Sequence, residues 1–209
     1  MRNEKQKAEG SPPSSSYCLL LSVLLIPQSK RILEMKAPIP ENEAARLEAL
    51  RQYEILDTDP EESFNDLTRL AAYICDTPIA LITLVDAHRQ WFKARVGIGE
   101  KETSRDISFC AHAILQDGPF IVPDALDDER FRKNPFVTAD PHIRFYAGSP
   151  LMSPEGFKIG TLCVVDKRPK ELSPKQIAAL KILGNQVITQ LDLRREILSL
   201  QRALGKHKH

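Results

Sequence analysis

Cys110 and His112, two positions apart in SFCAHAIL, are the pair in this chain best suited to chemistry. If Ser108 caps a helix there, Cys110 falls in its first turn. Backbone N–H groups and the helix dipole would then lower the thiol pKa and draw in an anion. Redox sensing or ligand contact would follow; the competing reading is a small residue packing a helix against a sheet. Asp124 follows a short apolar run and precedes an acidic patch, Asp127, Asp128 and Glu129, with Arg130 and Arg132 behind it. Such a stretch positions a cation or polar ligand, or makes a capped surface loop, and Asp124 is the member best placed at a pocket rim. Arg144 and Tyr146 fall on one side of a strand because side chains alternate. Together they suit a carboxylate, a phosphate or a ring; otherwise they form a surface Arg–Tyr stack. Trp91 and Phe92 fall on opposite faces, so one alone can line a cavity. Trp91 enters the candidate set, with core packing as the alternative.

The four cysteines, Cys18, Cys75, Cys110 and Cys163, stand far apart, with no CxxC pair and no histidine at zinc-finger spacing. That argues against a structural zinc site. Cys75 and Cys163 lie in apolar runs and read as small buried hydrophobes. Cys163 joins a site with Cys110 only if its side chain faces the same cavity. The candidate ligand-binding set is therefore Trp91, Cys110, His112, Asp124, Arg144, Tyr146 and Cys163, with no metal ligand and no catalytic residue.

These residues need a frame to bring them together. The chain has 209 residues, 42% apolar and 27% charged, which fits one globular domain with helical extensions. Its net charge is +1 without a long basic run, which argues against a nucleic-acid partner. Residues 17–26, YCLLLSVLLI, are ten apolar residues, about half a bilayer as a helix, so no membrane span is expected. No A-x-A-like cleavage site follows that run. Met35 is the candidate true start, with residues 1–40 as a poorly structured extension, and the chain is expected to be cytoplasmic.

Beyond Pro40 the pattern sharpens. Residues 41–56 read as a helix with Ala44, Leu47 and Leu50 on its apolar face. Asp59, Pro60 and Glu62 carry the signature of a capped start for a second helix, in which Phe64, Leu67, Ala71 and Ile74 recur at helical spacing. Ile79–Asp86 is a buried strand, joined through Ala87–His88 to a second strand in which Phe92, Ala94 and Val96 alternate with Trp91, Lys93 and Arg95. Gly97 to about Arg105 reads as a flexible charged loop. A short helix over Asp106–Leu115, a brief strand over Phe120–Val122 and an irregular stretch to Asp140 follow. Ile143–Met152 and Phe157–Asp166 form a second hairpin. Ser173, Pro174 and Gln176 open a last helix that runs to about Leu204. The order gives an α+β fold with a mostly antiparallel sheet.

Six blocks in this order resemble GAF domains of bacterial sensory proteins: EALRQYEILDTDPEESF, LITLVDAHRQWFKARVG, SFCAHAIL, VPDALDDERFRKNPFV, IRFYAGSPLM and IGTLCVVDKRPKELSPKQIAALKILGNQV. The resemblance covers residues 41–195 and leaves 196–209 as a helical extension and tail. It implies a twisted antiparallel sheet of five or six strands, terminal helices on one face, and an insertion over about residues 97–142 that caps a pocket on the other. It also implies a sensory module in signal transduction that binds an unidentified small molecule, performs no chemistry of its own and names no cofactor. A histidine kinase or a cyclase is the kind of partner such domains serve, as in two-component systems.

Two covalent alternatives remain. One branch of the family reduces free methionine sulfoxide with clustered cysteines, and SFCAHAI resembles a segment bearing one of them. The second cysteine is missing from residues 125–142. A bilin photoreceptor would need a cysteine in the helix before the Arg144 strand, where none stands. On the last helix, Leu180, Leu183, Val187 and Leu191 form one stripe that covers the sheet. Leu193, Ile197, Leu200 and Leu204 form a second that calls for a partner helix, and so for a homodimer.

Overall fold

The structure, a computed structural model, describes residues 36–206. Cys18, the apolar run at 17–26 and Met35 lie outside the described residues. Six strands form one sheet: β1 (Ile79–Val85), β2 (Arg89–Val96), β3 (Glu102–Ser104), β4 (Phe120–Val122), β5 (Phe145–Met152) and β6 (Lys158–Asp166). Their order is β3-β2-β1-β6-β5-β4, with every neighbouring pair antiparallel. All seven residues of β1 are buried, as its unbroken apolar run requires of a central strand covered on both faces.

Helices α1 (Glu43–Gln52), α2 (Glu62–Cys75) and α5 (Pro174–Lys206) share one face of the sheet. There Ala80, Ile82 and Leu84 of β1 meet Leu162 and Val164 of β6 and Leu180, Val187 and Leu191 of α5. Two short helices, α3 (Phe109–Ala113) and α4 (Pro135–Thr138), belong to the insertion on the opposite face. Its core uses the alternate strand residues, among them Ile79, Leu81, Tyr146, Cys163 and Val165. The two-residue period of the strands thus builds two cores from one sheet.

Three local expectations are corrected. Helix α1 buries Arg46, Ala49 and Leu50, while Ala44 is exposed. Arg46 is tolerated inside because Glu43 accepts two of its hydrogen bonds and the Val85 carbonyl a third, at 2.7 Å. Helix α2 starts at Glu62 after Glu61, without a side-chain cap. The Glu61 carboxylate is instead held by the buried Lys93 ammonium at 2.7 Å and by Arg194 at 3.0 Å. Residues 102–104, expected as loop, pair with β2 as the edge strand β3. The reciprocal cap at α5 is present: Ser173 N–H donates to Gln176 Oε1 at 2.9 Å and Gln176 N–H to Ser173 Oγ at 3.3 Å.

Candidate functional site

Between the sheet and the insertion lies a cavity of about 350 Å³. Its floor is strand side chains: Ile79 and Leu81 of β1, Phe92 of β2, Tyr146 of β5, and Cys163 and Val165 of β6. Its roof is the insertion, through Gly97–Glu100, Phe109, Cys110, Phe136 and the 140–143 turn. Polar groups are few: Gln90, which donates to Thr103 at 2.7 Å, and the charged Glu100, Asp140 and Lys167 on its border. A mostly apolar hollow with a few polar groups is the usual form of a small-molecule site.

Ser108 does cap α3, accepting from the Ala111 N–H at 3.1 Å, and this sets Cys110 in the first turn. Ser108 Oγ also donates to Gln90 Oε1, tying the helix start to β2. Cys110 Sγ then stands 3.8 Å from Cys163 Sγ, and the Tyr146 hydroxyl donates to it at 3.4 Å. The sheet prepares this meeting. Gly148 is the β5 partner of Cys163, and a Cβ on Gly148 would come 2.3 Å from the Tyr146 hydroxyl. The missing side chain is therefore the space through which Tyr146 reaches the thiols. On β1 and β6 the paired Thr83 and Thr161 hydroxyls lie 2.9 Å apart beneath them.

Burial alone pushes the Cys110 thiol up, yet hydrogen bonds from Cys163, Thr161, Thr83 and Tyr146 outweigh it and hold it below the ordinary thiol range. The same contact with Cys110, then burial, drives Cys163 well above the ordinary thiol range. Burial, then the neighbouring thiols, raises Tyr146 as well, so it stays a donor. The two thiols are thus pushed in opposite directions, Cys110 toward ionisation and Cys163 away from it. Cys75, on the helix side, is buried and its thiol is raised by burial.

Of the expected set, the structure brings Cys110, Tyr146 and Cys163 together. The other four do not border the cavity. Trp91 packs in the helix-side core, and Phe92 takes the cavity wall. A register shift opposite Ile82/Thr83 places Ala94 with Trp91 rather than with Phe92, so simple alternation misassigned Ala94. His112 sits edge-on to Phe131, ring centroids 4.9 Å apart, on the far side of α3. Asp124 turns the chain, accepting from the Leu126 N–H at 3.0 Å. Arg144 precedes β5 and donates to the Val137 and Ile143 carbonyls at 2.9 and 3.0 Å, closing the α4 loop.

Two features escaped sequence reasoning. Phe131, fully buried, stacks on Phe109 at 3.9 Å and 11° and so backs the cavity wall. Asn134 caps α4 through the Phe136 N–H and donates to the Ile107 carbonyl, both at 2.9 Å, which holds the insertion in one piece. The Asn134-Pro135 pair is a readable start signal for α4; nothing local marks Phe131.

A sheet with terminal helices on one face and a capped cavity on the other is the architecture of GAF domains, and this chain belongs to that family: the GAF domain profile matches residues 59–191. The sensory or regulatory role expected of the chain is consistent with that family. A cyclic di-GMP phosphodiesterase of Pseudomonas aeruginosa is 42% identical over 169 residues, which is 80% of this chain. The chain spans 29% of that relative's length. Among solved structures, a domain of a protein described as a two-component sensor histidine kinase from Sinorhizobium meliloti superposes with a TM-score of 0.55 at 20% identity. The match covers 68% of this chain and 97% of that one. The GAF domain of an Acinetobacter phosphoenolpyruvate-protein phosphotransferase gives 0.55 at 18% identity, covering 74% and 98%. At these identities the two structures show the fold. The expectation that the chain is not an enzyme and performs no chemistry of its own is corrected by the first of these relatives, which is named a cyclic di-GMP phosphodiesterase. Among the described residues no helix is long and apolar enough to cross a membrane.

Proposed function

We propose that the chain is the sensory segment of a cyclic di-GMP phosphodiesterase, and that a small molecule in the insertion-capped cavity sets the activity. The 42% identity to such an enzyme over most of this chain carries the reading, and the cavity of about 350 Å³ supplies the place for a ligand. The route outward is physical. Glu43 of α1 accepts from Arg105 at 2.5 Å, and Arg105 opens the 3-10 turn that leads into α3. A roof that shifts on ligand binding therefore pulls on the terminal helices, and a ligand favouring one roof position biases both. Blocking the cavity with Val165→Phe should abolish the extra mass of a bound molecule in native mass spectrometry of protein from its own host. It should also leave cyclic di-GMP hydrolysis in the phosphodiesterase-bearing protein insensitive to that molecule. Wild-type protein whose native mass equals the polypeptide in every preparation would sink the proposal.

A second surface supports output through self-association. Leu193, Ile197, Leu200 and Leu204 are 47 to 69% exposed and follow a four-three-four spacing down the last turns of α5. That is the seam of a two-stranded coiled coil. Arg194 and Arg202 of the same helix bind the α1–α2 connector, through the Tyr53 and Glu54 carbonyls and the Glu54 carboxylate. The seam is thus mechanically joined to the domain. Sedimentation should show a dimer that Ile197→Glu with Leu200→Glu converts to a folded monomer, its thermal midpoint no longer rising with protein concentration. A wild-type monomer at the highest attainable concentration removes this reading.

A further inference from the structure

We infer that Cys110 and Cys163 form an oxidant-reactive dithiol site inside the cavity, which a small hydroperoxide converts to a disulfide. The inference rests on the cavity admitting small solutes, as the sensory reading requires, and on geometry that reading does not need. Two sulfurs from different elements, 53 residues apart in sequence, meet at 3.8 Å, and both border the cavity. The Tyr146 hydroxyl points at Cys110, the sulfur carried by the insertion. Cys163 is fixed in the central strand β6 between β1 and β5, whereas Cys110 rides on the five-residue helix α3. A disulfide bond is about 2.0 Å long, so closing the gap asks for a shift of under about 2 Å in a buried helix of five residues.

The chemistry proceeds in two displacements. The Cys110 thiolate attacks one peroxide oxygen; the O–O bond breaks, Cys110 becomes a sulfenic acid, and the departing oxygen takes a proton to leave as water or an alcohol. Cys163 sulfur then attacks the Cys110 sulfur. The S–O bond breaks and hydroxide leaves, taking up the Cys163 proton as water. In sum the two thiols lose two protons and two electrons, and the peroxide gains them. The opposite directions in which the two thiols are pushed fit an attacking Cys110 and a resolving Cys163. The product draws α3 onto β6. Because Phe109 lies next to Cys110 and stacks on Phe131, the roof moves with it and the cavity narrows. Oxidation and ligand binding thereby act on the same element.

The test uses the unmodified chain. Treatment with equimolar hydrogen peroxide, denaturation with N-ethylmaleimide and non-reducing trypsin digestion should join residues 106–130 to residues 159–167, two hydrogens lighter than the separate peptides. Dithiothreitol should release them, and Cys75 should be recovered alkylated. In Cys163→Ser, Cys110 should accumulate as a sulfenic acid that dimedone traps. Cys110 and Cys163 both recovered alkylated, Cys110 as a sulfinic acid, or either joined to Cys18 or Cys75 instead would overturn the inference. Failure of the two readings is distinguishable. A cavity that carries a bound molecule while both peptides stay alkylated sinks the dithiol site and leaves the sensory reading. A cross-link in protein whose native mass shows no ligand does the reverse.

Discussion

Replacing Glu43 with glutamine is expected to cost about 3 kcal/mol of stability, the lower end of what removing one partner of a buried ion pair costs. Two guanidinium groups depend on this carboxylate. Arg46 and Arg105 are 1% and 3% exposed, and Glu43 meets them at 2.7 and 2.5 Å. Glutamine keeps the size and one acceptor but leaves two buried positive charges facing each other. The pH dependence follows from the same contacts. Burial raises the Glu43 carboxyl, but its hydrogen bonds and attraction to the two arginines outweigh that and lower it from 4.5 to about 2. A carboxylate lowered on folding stabilises the native state above its unfolded pKa. That contribution falls away as pH drops through the folded value. Wild-type stability should therefore decline relative to Glu43→Gln between pH 4.5 and about 2, with the two denaturation curves converging at the acid end. Parallel curves across that window would show that the contribution lies elsewhere.

Gly160→Ala should be strongly destabilising, while Gly148→Ala, in the neighbouring strand, should be milder and informative about the site. A Cβ at Gly160 would stand 2.0 Å from the Thr83 carbonyl oxygen, across the central β1–β6 pairing. Backbone cannot rotate aside, so the two strands must separate, and overpacking of this kind costs about 3 kcal/mol or more. At Gly148 the obstacle is the Tyr146 side chain, its hydroxyl 2.3 Å away. A ring can tilt, so the cost should be about 1–2 kcal/mol. The tilt withdraws the hydroxyl from Cys110, and the Cys110 thiol should titrate at higher pH in Gly148→Ala than in wild type. Chemical denaturation ranks the two variants, and the pH dependence of Cys110 alkylation reads the second effect. Equal losses, or an unmoved thiol titration, would contradict the geometry.

Legibility in the sequence followed the range of the forces involved. The strands β1, β2, β5 and β6 and the helices α2 and α5 announce themselves through apolar period and end signals, because burial on one or two faces dictates local pattern. The Ser173–Gln176 box was readable for the same reason: both partners lie within one turn. Failures occurred where a distant group overrode a local signal. Glu61 leaves the start of α2 uncapped because Lys93 and Arg194 claim it. Arg46 sits on the buried face of α1 because Glu43 and the Val85 carbonyl neutralise its cost. The β1–β2 register shift reassigned Ala94 to the opposite face from Phe92, and no residue type marks where that shift falls.

The Cys110–His112 pair divides along the same line. The sequence by itself determined that Ser108 could cap a short helix and put Cys110 in its first turn, since a serine oxygen reaches an N–H three residues on. It also determined the sheet, the terminal helices and the family. Only the tertiary structure decided which partner Cys110 meets. Helical geometry turns His112 toward Phe131, and the antiparallel register of β1, β5 and β6 brings Cys163, Gly148 and Tyr146 beneath Cys110. The contact of Tyr146 with Cys110, across 36 residues, depends on strand register and on the space left by one glycine. Neither quantity is carried by the residues that make the contact, so both exist only once the sheet has formed.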